Sequence, residues 1–429
     1  MVTTEVTDRA VSQHSMLAAG VRWPEALAAC GAAVMFPALL GLISGSFGPT
    51  SQAIRSTLAL TSMELGLLGG GYLLAIALGQ LVAGPLIDRF GVRKLSMSAF
   101  AGIGIAAAGF ARAESLGVAL ALYLVMGAAT AVAVPAFGAV AVRVTSSGGF
   151  AVAMGGMAVT IGLVSMGSTW VGAAARDGDG WRGVFWLVAA AAIPGIIAVG
   201  FALRGPRFAP IASAAGPSRS TVMVGLIRVA TVRRAILIAI GLAGLLFSFG
   251  GIWNSYVVRV IWQLPAEDWG LVTSMFYLGY SIMNTITPCI ALRLGAMPVL
   301  RISTGCAFVL LSVWLLSPIA LTATGAAIVA GALGASLSGI ALNTALAVRS
   351  VPLAQAGSCV ALVGSAGLFS GFAMQFLPTL TTHIEGTTPL SRGLICGSVI
   401  TLVVGIGHAA TYRRQASANS KPAATTPGS

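Results

Sequence analysis

Apolar runs of 20 or more residues recur from end to end of this chain, and that leaves it few folds. Inside hydrocarbon every backbone N–H and C=O must be satisfied within the protein, so only helices and closed barrels span a bilayer. A barrel would read as alternating strands of about ten residues. Here the runs are continuous. Of 429 residues 57% are apolar and 8% charged, with 55 Gly, the composition of an all-α polytopic membrane protein. Twelve transmembrane helices are predicted, at about 26–48, 64–87, 95–111, 115–142, 150–174, 181–203, 234–258, 269–291, 299–317, 320–347, 356–380 and 392–412. Glu5 and Asp8 stand in a polar lead that does not read as a signal peptide, so the first span is expected to be an uncleaved anchor.

The net charge of +13 invites a nucleic-acid reading, which its placement argues against. With both termini in the cytosol, cytosolic segments carry 18 Lys/Arg against 4 Asp/Glu, and external segments 6 against 7. That is the positive-inside bias, so the cations mark topology and no nucleic acid is expected. Arg204, Arg207, Arg219, Arg228, Arg233 and Arg234 crowd one cytosolic stretch, where they can also meet anionic membrane lipid. Cys30, Cys289, Cys306, Cys359 and Cys396 stand apart without metal-ligand spacing, so neither a metal site nor a disulfide framework is expected.

Residues 204–233, with Pro206, Pro210, Pro217 and the arginines, form the seam of the chain. The expected organisation is a cytosolic tail (1–23), a six-helix bundle (24–203), this linker (204–233), a second six-helix bundle (234–412) and a disordered cytosolic tail (413–429). A shift of 204 residues places Arg55 on Arg259, Glu64 on Asp268, Gln80 on Asn284, Arg89 on Arg293 and Gly91 on Gly295. A shift of 206 places Ala141-Val142-Arg143 on Ala347-Val348-Arg349. Two repeats of six spans suit a transporter whose halves rock about a site near the midplane.

Between spans 2 and 3 lies Gly84-Pro-Leu-Ile-Asp88-Arg89-Phe-Gly91-Val-Arg93-Lys94. This charged, Gly-flanked stretch resembles the loop 2–3 signature of the major facilitator superfamily, with Val92 where a further Arg is common. The resemblance implies two pseudo-symmetric six-helix bundles, alternating access, a cell-membrane location and a monomer. It also implies a cytosolic latch of Asp88, Arg89 and Arg93 on a turn shaped by Gly84 and Gly91, with Arg143 as candidate partner. In the second half Leu292 replaces Asp88, and Met297 and Pro298 replace Arg93 and Lys94.

Away from their ends the spans hold no Asp, Glu, Lys or Arg, so no midplane proton relay is expected. Tyr123 stands where the family's drug/proton antiporters carry a buried Arg. The candidate pathway is therefore polar but uncharged. Tyr277, Tyr280 and Asn284 share a face of span 8, Asn254 and Tyr256 lie on span 7, and Asn343, Gln375 and Tyr123 lie on spans 10, 11 and 4. Each residue has a plainer reading as an interhelical hydrogen bond. Arg55 and Arg259, with Glu64 and Asp268 nine residues later, mark the external mouth. They can form a gate of ion pairs, an electropositive funnel for anions, or interfacial anchors.

No P-loop, zinc motif or nucleophile elbow is present, so the chain is not expected to be an enzyme or an ATP-driven pump, and no cofactor is expected. The expected partner is a small-molecule substrate. A monocarboxylate-like anion is one candidate, hinted at by Gly180-Trp181-Arg182. Efflux of amphipathic compounds is the alternative, and a non-transporting sensor or scaffold is a third reading.

Overall fold

In a computed structural model the chain is described over residues 17–210, 219–254, 257–316, 321–352, 355–380 and 397–411. Among the described residues every expected span overlaps helix. We label these α1 (Trp23–Thr57), α2 (Ser62–Phe90), α3 (Val92–Phe110), α4 (Leu116–Thr130), α5 (Ala133–Val144), α6 (Ser147–Ala174) and α7 (Gly180–Ala202). A linker helix, α8 (Arg219–Arg228), leads to α9 (Ala230–Ser248), α10 (Trp269–Leu294), α11 (Ala296–Leu316), α12 (Ala323–Ser336), α13 (Gly339–Val348), α14 (Ala356–Leu380) and α15 (Gly397–Thr411). Among the described residues ten helical segments are long and apolar enough to cross a membrane. Two expected spans differ from these. α3 carries Arg93 and Lys94 in its first turn, and only the shorter apolar stretch of α15 is described.

Three departures from the predicted boundaries have physical causes. α1 runs past residue 48, through Pro49, to Thr57. Proline at 49 lacks the N–H that would bond the Gly45 carbonyl. Thr169 Oγ1 of α6, whose proton goes mainly to the Ser165 carbonyl at 2.9 Å, lies 3.3 Å from the Gly45 carbonyl, and the helix continues. The stretch Gly84–Lys94, expected as a loop, is almost wholly helical, and its turn shrinks to Gly91 at φ +81°. The seventh span breaks. Its helix passes into π-turns at Phe249–Trp253, and Gly251 has the non-helical φ/ψ of −91°, −121°.

The repeat is also visible in the backbone. Gly91 (φ 81°, ψ 146°) and Gly295 (φ 84°, ψ 148°) close α2 and α10 in nearly one conformation. The fourth span is interrupted between Thr130 and Ala133, and the tenth between Ser336 and Gly339. These interruptions stand 206 residues apart, the offset of the matched Ala-Val-Arg triplets. A large core gathers buried apolar residues from Ala26 to Phe208, plus Leu368. A second runs from Ile238 to Val404. A third, small one joins Leu226 of α8 to Ala235, Ala347 and Val363.

The two halves meet along two seams. On one, Ser365 Oγ of α14 donates to the Ala77 carbonyl of α2 at 2.9 Å, and Gly364 admits Gln80. On the other, α6 faces α10. Gly162 receives Ser281 and Tyr280, and Gly270 lies against Trp170 and Ala173. Further along α6, toward the end of the bundle that carries Gly91, Gly155 and Gly156 face open space. There α10 is unpacked too: beyond Thr287 none of its residues is buried, and Leu292 is 88% exposed. The α6–α10 seam is shut at the far end and parted at the Gly91 end.

Candidate functional site

A small cavity of about 20 Å³ lies between the halves, room for about one water molecule. Ser44 and Phe47 of α1, Gly69, Tyr72 and Leu73 of α2, and Tyr123 of α4 line it from one half. Phe247, Gly251, Tyr277 and Gln375 line it from the other. None of these ten side chains is ionisable near neutral pH.

The first-half wall is aromatic and braced. Tyr123 stacks on Phe47 (ring centroids 5.2 Å), Tyr72 (4.9 Å) and Phe110 (5.0 Å). Phe110 packs in turn on Trp181 and Phe185. The Tyr72 hydroxyl lies 3.4 Å from Thr130 Oγ1, whose own proton goes to the Met126 carbonyl. Such a wall offers flat apolar area and little freedom to move.

The second-half wall is built on the broken span. A π-turn leaves carbonyls without their helical partners, and two wall side chains take them up. Tyr277 donates to the Gly250 carbonyl at 2.9 Å, and Gln375 Nε2 to that of Phe247 at 2.9 Å. Trp253 Nε1 similarly reaches the Met374 carbonyl at 2.8 Å. A carbonyl only accepts, so the amide nitrogen of Gln375 must face Phe247. Its Oε1 is left buried and without a partner, an acceptor awaiting a donor.

The other pathway candidates lie elsewhere. Asn254 donates to Thr273 Oγ1 at 2.7 Å, and Asn284 to the Tyr280 carbonyl at 2.8 Å. Both are fully enclosed, and each keeps an unpartnered amide oxygen. Tyr280 sits on the α6–α10 seam beside Gly162. Asn343 ties α13 to the Ala235 carbonyl of α9 at 2.9 Å, a packing role. Tyr256 falls outside the described residues. Sequence reasoning missed Phe47, Leu73, Phe247 and Gly251 as wall. The one available signal was Gly250-Gly251 inside an otherwise continuous apolar run.

At the gate, Asp88 is exposed in the last turn of α2 and lies within electrostatic reach of Arg143 at the end of α5. One Arg143 nitrogen, Nη1, is buried without a hydrogen bond. Arg93 Nε donates to the Gly200 carbonyl at 3.0 Å, Arg89 lies over the Phe90 ring, and Gly91 abuts Pro210 of the linker. Gly84 lies within α2, next to Pro85. None of these contacts reaches the second half. At the far end, Arg55 Nε donates to the Leu60 carbonyl at 3.1 Å, and Glu64 closes a capping box with Thr61. Arg259 lies over Trp269, and Asp268 stands at the N-cap of α10.

A polytopic helical bundle with an internal repeat and a small, uncharged cavity between its halves is the architecture expected of a membrane transporter. The comparisons give the family. Residues 26–375 match the model of the Major Facilitator Superfamily, and the chain belongs to it. It is a multi-pass membrane transporter of small molecules and not an enzyme. The fold is similar to that of a mutant of the nucleoside transporter NupG (TM-score 0.69, 10% identity, covering 90% of this chain and 99% of that one). It is also similar to a D-xylose-proton symporter (0.69, 13%, 88% and 97%) and to the human organic anion transporter MFSD10 (0.63, 15%, 90% and 97%). No curated protein sequence matches the chain.

Proposed function

We propose that this transporter carries a small, uncharged organic solute with an apolar body and a hydrogen-bond donor. The observation behind this reading is Gln375 Oε1, a buried acceptor without a partner on a mostly apolar and aromatic wall whose other unpartnered polar atom, Ser44 Oγ, is a hydroxyl that can donate as well as accept. Leaving such an acceptor empty costs about 1–3 kcal/mol. A hydroxyl or amide N–H of a solute relieves that cost, whereas a carboxylate brings only further acceptors. Amphipathic compounds with one such donor, the efflux reading, fit the same wall.

A monocarboxylate-like anion is the second reading, and the arginine pair at the far end is what favours it. Against it, Gly180-Trp181-Arg182 has a structural task. Trp181 is buried in the aromatic cluster, and Arg182 Nη1 donates to the Ala111 and Ala113 carbonyls at 2.9 and 3.0 Å.

At about 20 Å³ the cavity is too small for an organic solute, so loading requires the halves to part. In our reading both termini are cytosolic, the two six-helix bundles (24–203 and 234–412) rock as units, and the protein acts as a monomer in the cell membrane. The parted α6–α10 seam is then the cytosolic side. Asp88, Arg89, Arg93 and Arg143 would latch that side when the far end opens.

Ligand-induced thermal stabilisation of the purified protein tests this, because a ligand binding only the folded state raises apparent stability. The panel holds neutral hydroxyl and amide compounds, amphipathic cations and small carboxylates. Hits among neutral donors, lost in Gln375→Leu, are expected. A carboxylate hit lost in Arg55→Ala or Arg259→Ala, and indifferent to Gln375, would overturn the reading in favour of the anion.

A further inference from the structure

Arg301 is a cation that the transport site does not use. It lies in the second turn of α11, and two of its guanidinium nitrogens, Nε and Nη2, are buried without a hydrogen bond. Other buried guanidinium groups have help nearby: Asp88 lies in electrostatic reach of Arg143, and Glu25 stands 3.6 Å from Arg207. No ion pair reaches Arg301 among the described residues. Among the described residues beyond Arg219 the only acidic ones are Glu267 and Asp268. They precede α10, while Arg301 follows it. The 26 residues of α10 put roughly 39 Å between its two ends. Arg301 as a whole is partly exposed, but a guanidinium edge shut off from water without a counter-charge is costly, and an external anion relieves that cost.

The surroundings indicate where that anion comes from. Arg301, Thr304, Gly305 and Phe308 share the stripe of α11 that faces α15. Thr304 Oγ1 lies 3.3 Å from His408 Nδ1, and Gly405 approaches the Phe308 ring. The outer rims of this groove are apolar and exposed: Ile302 and Val309 on α11, Leu402 and Ile406 on α15. Water offers such rims nothing, whereas acyl chains cover them. The unused donors also fit in shape, because Nε and Nη2 form the side-on fork that grips two oxygens of one phosphate.

We propose that Arg301, at the Gly91 end of the α11–α15 groove, binds the phosphate of an anionic phospholipid whose chains lie along the exposed rims. The site is separate from the cavity and independent of which solute is carried. It is tested with purified protein in detergent supplemented with phosphatidylglycerol, with phosphatidylcholine, or with inorganic phosphate alone. The readouts are the unfolding midpoint and retained lipid by native mass spectrometry. Phosphatidylglycerol is expected to raise the midpoint more than phosphatidylcholine. Arg301→Gln should erase that increment and the retained lipid, while Arg293→Gln and Arg349→Gln, at exposed positions, should keep both.

An undiminished increment in Arg301→Gln would overturn the site, as would equal losses in all three variants. An Arg301-dependent increment from inorganic phosphate alone would overturn the lipid source. If Arg301→Gln does not fold, Arg301→Lys carries the test, since it keeps the charge but loses the fork. Retention of phosphatidylglycerol about tenfold weaker is then expected, and unchanged retention refutes the fork.

Discussion

The two halves share a backbone and differ in side-chain chemistry. Gly91 and Gly295 repeat one turn, and the fourth and tenth spans are interrupted at one offset. Each half has an aromatic cluster, around Tyr123 in the first and Trp314 in the second, but only the first holds the charged signature. The second has an eroded signature, a broken span, and unpartnered amide oxygens on Asn254, Asn284 and Gln375. Repetition persists where close packing or a positive φ leaves few alternatives. It is lost where a side chain only has to be polar. One half thus presents stacked aromatic rings to the cavity, and the other presents polar groups tied to the carbonyls of a broken helix.

That comparison can be broken most forcefully at the helix crossings inside each half. A Cβ on Gly127 would lie 2.6 Å from the Tyr72 carbonyl oxygen, and one on Gly334 would overlap the Phe276 carbonyl oxygen. Tyr72 and Phe276 are equivalent at the 204-residue shift. Gly127→Ala and Gly334→Ala should each cost about 1–3 kcal/mol, with Gly334→Ala the worse. Midpoints of thermal unfolding decide it, and a neutral Gly334→Ala would mean that the crossing is looser than drawn.

Next in size are the twin turns. Both glycines sit at positive φ, so Gly91→Ala and Gly295→Ala should each cost about 1 kcal/mol or more. Gly91 has the additional contact, since its Cβ would lie 3.2 Å from Pro210, whereas Gly295 has 3.6 Å to Pro298. Gly91→Ala should therefore unfold at the lower temperature. The reverse order would show that the linker gives way freely at Pro210.

How legible all this was in the sequence follows from what each feature depends on. Spans depend on hydropathy alone, and the turns at Gly91 and Gly295 on a residue that tolerates positive φ. The break at Gly251 is met by three-dimensional partners, since Tyr277 and Gln375 donate to the carbonyls of Gly250 and Phe247. In the same way, the first span, expected to end at about residue 48, continues through Pro49 to Thr57 where α6 packs against it. Asn343 and Gln375 read alike in a one-dimensional sequence. Which of them faces the cavity is set by helix rotation, and a hydropathy pattern that is apolar all round leaves rotation undetermined.

Asp88 tests whether the retained signature has a function that the eroded copy lost. Asp88→Asn removes the charge near Arg143 but leaves insertion and folding intact. A coupling of about 1 kcal/mol would change the balance of states roughly fivefold, and transport in vesicles should slow accordingly. Leu292 is 88% exposed at the equivalent position, so Leu292→Asp should neither slow the wild type nor rescue Asp88→Asn. An unchanged rate in well-folded Asp88→Asn would reduce the signature to a topology marker.

The smallest effect is expected at the far end, where the repeat keeps its charges but the structure uses them differently. Arg55 holds the carbonyl of Leu60 just beyond its own helix, whereas Arg259 lies over the Trp269 ring, 5.9 Å from its centroid. A hydrogen bond from a charged donor is worth about 1.5–3 kcal/mol when enclosed and less where water competes. An exposed cation–π contact is worth about 0.5–1 kcal/mol. Arg55→Gln and Arg259→Gln should each lower the unfolding midpoint only slightly, and both should leave transport of a neutral solute within about twofold, a free-energy change of about 0.4 kcal/mol. If either substitution instead cuts transport tenfold while the midpoint holds, that arginine touches the solute on its way in. The symmetry of the two mouths would then be functional, and the uncharged cavity would be only the second station on the path of an anion.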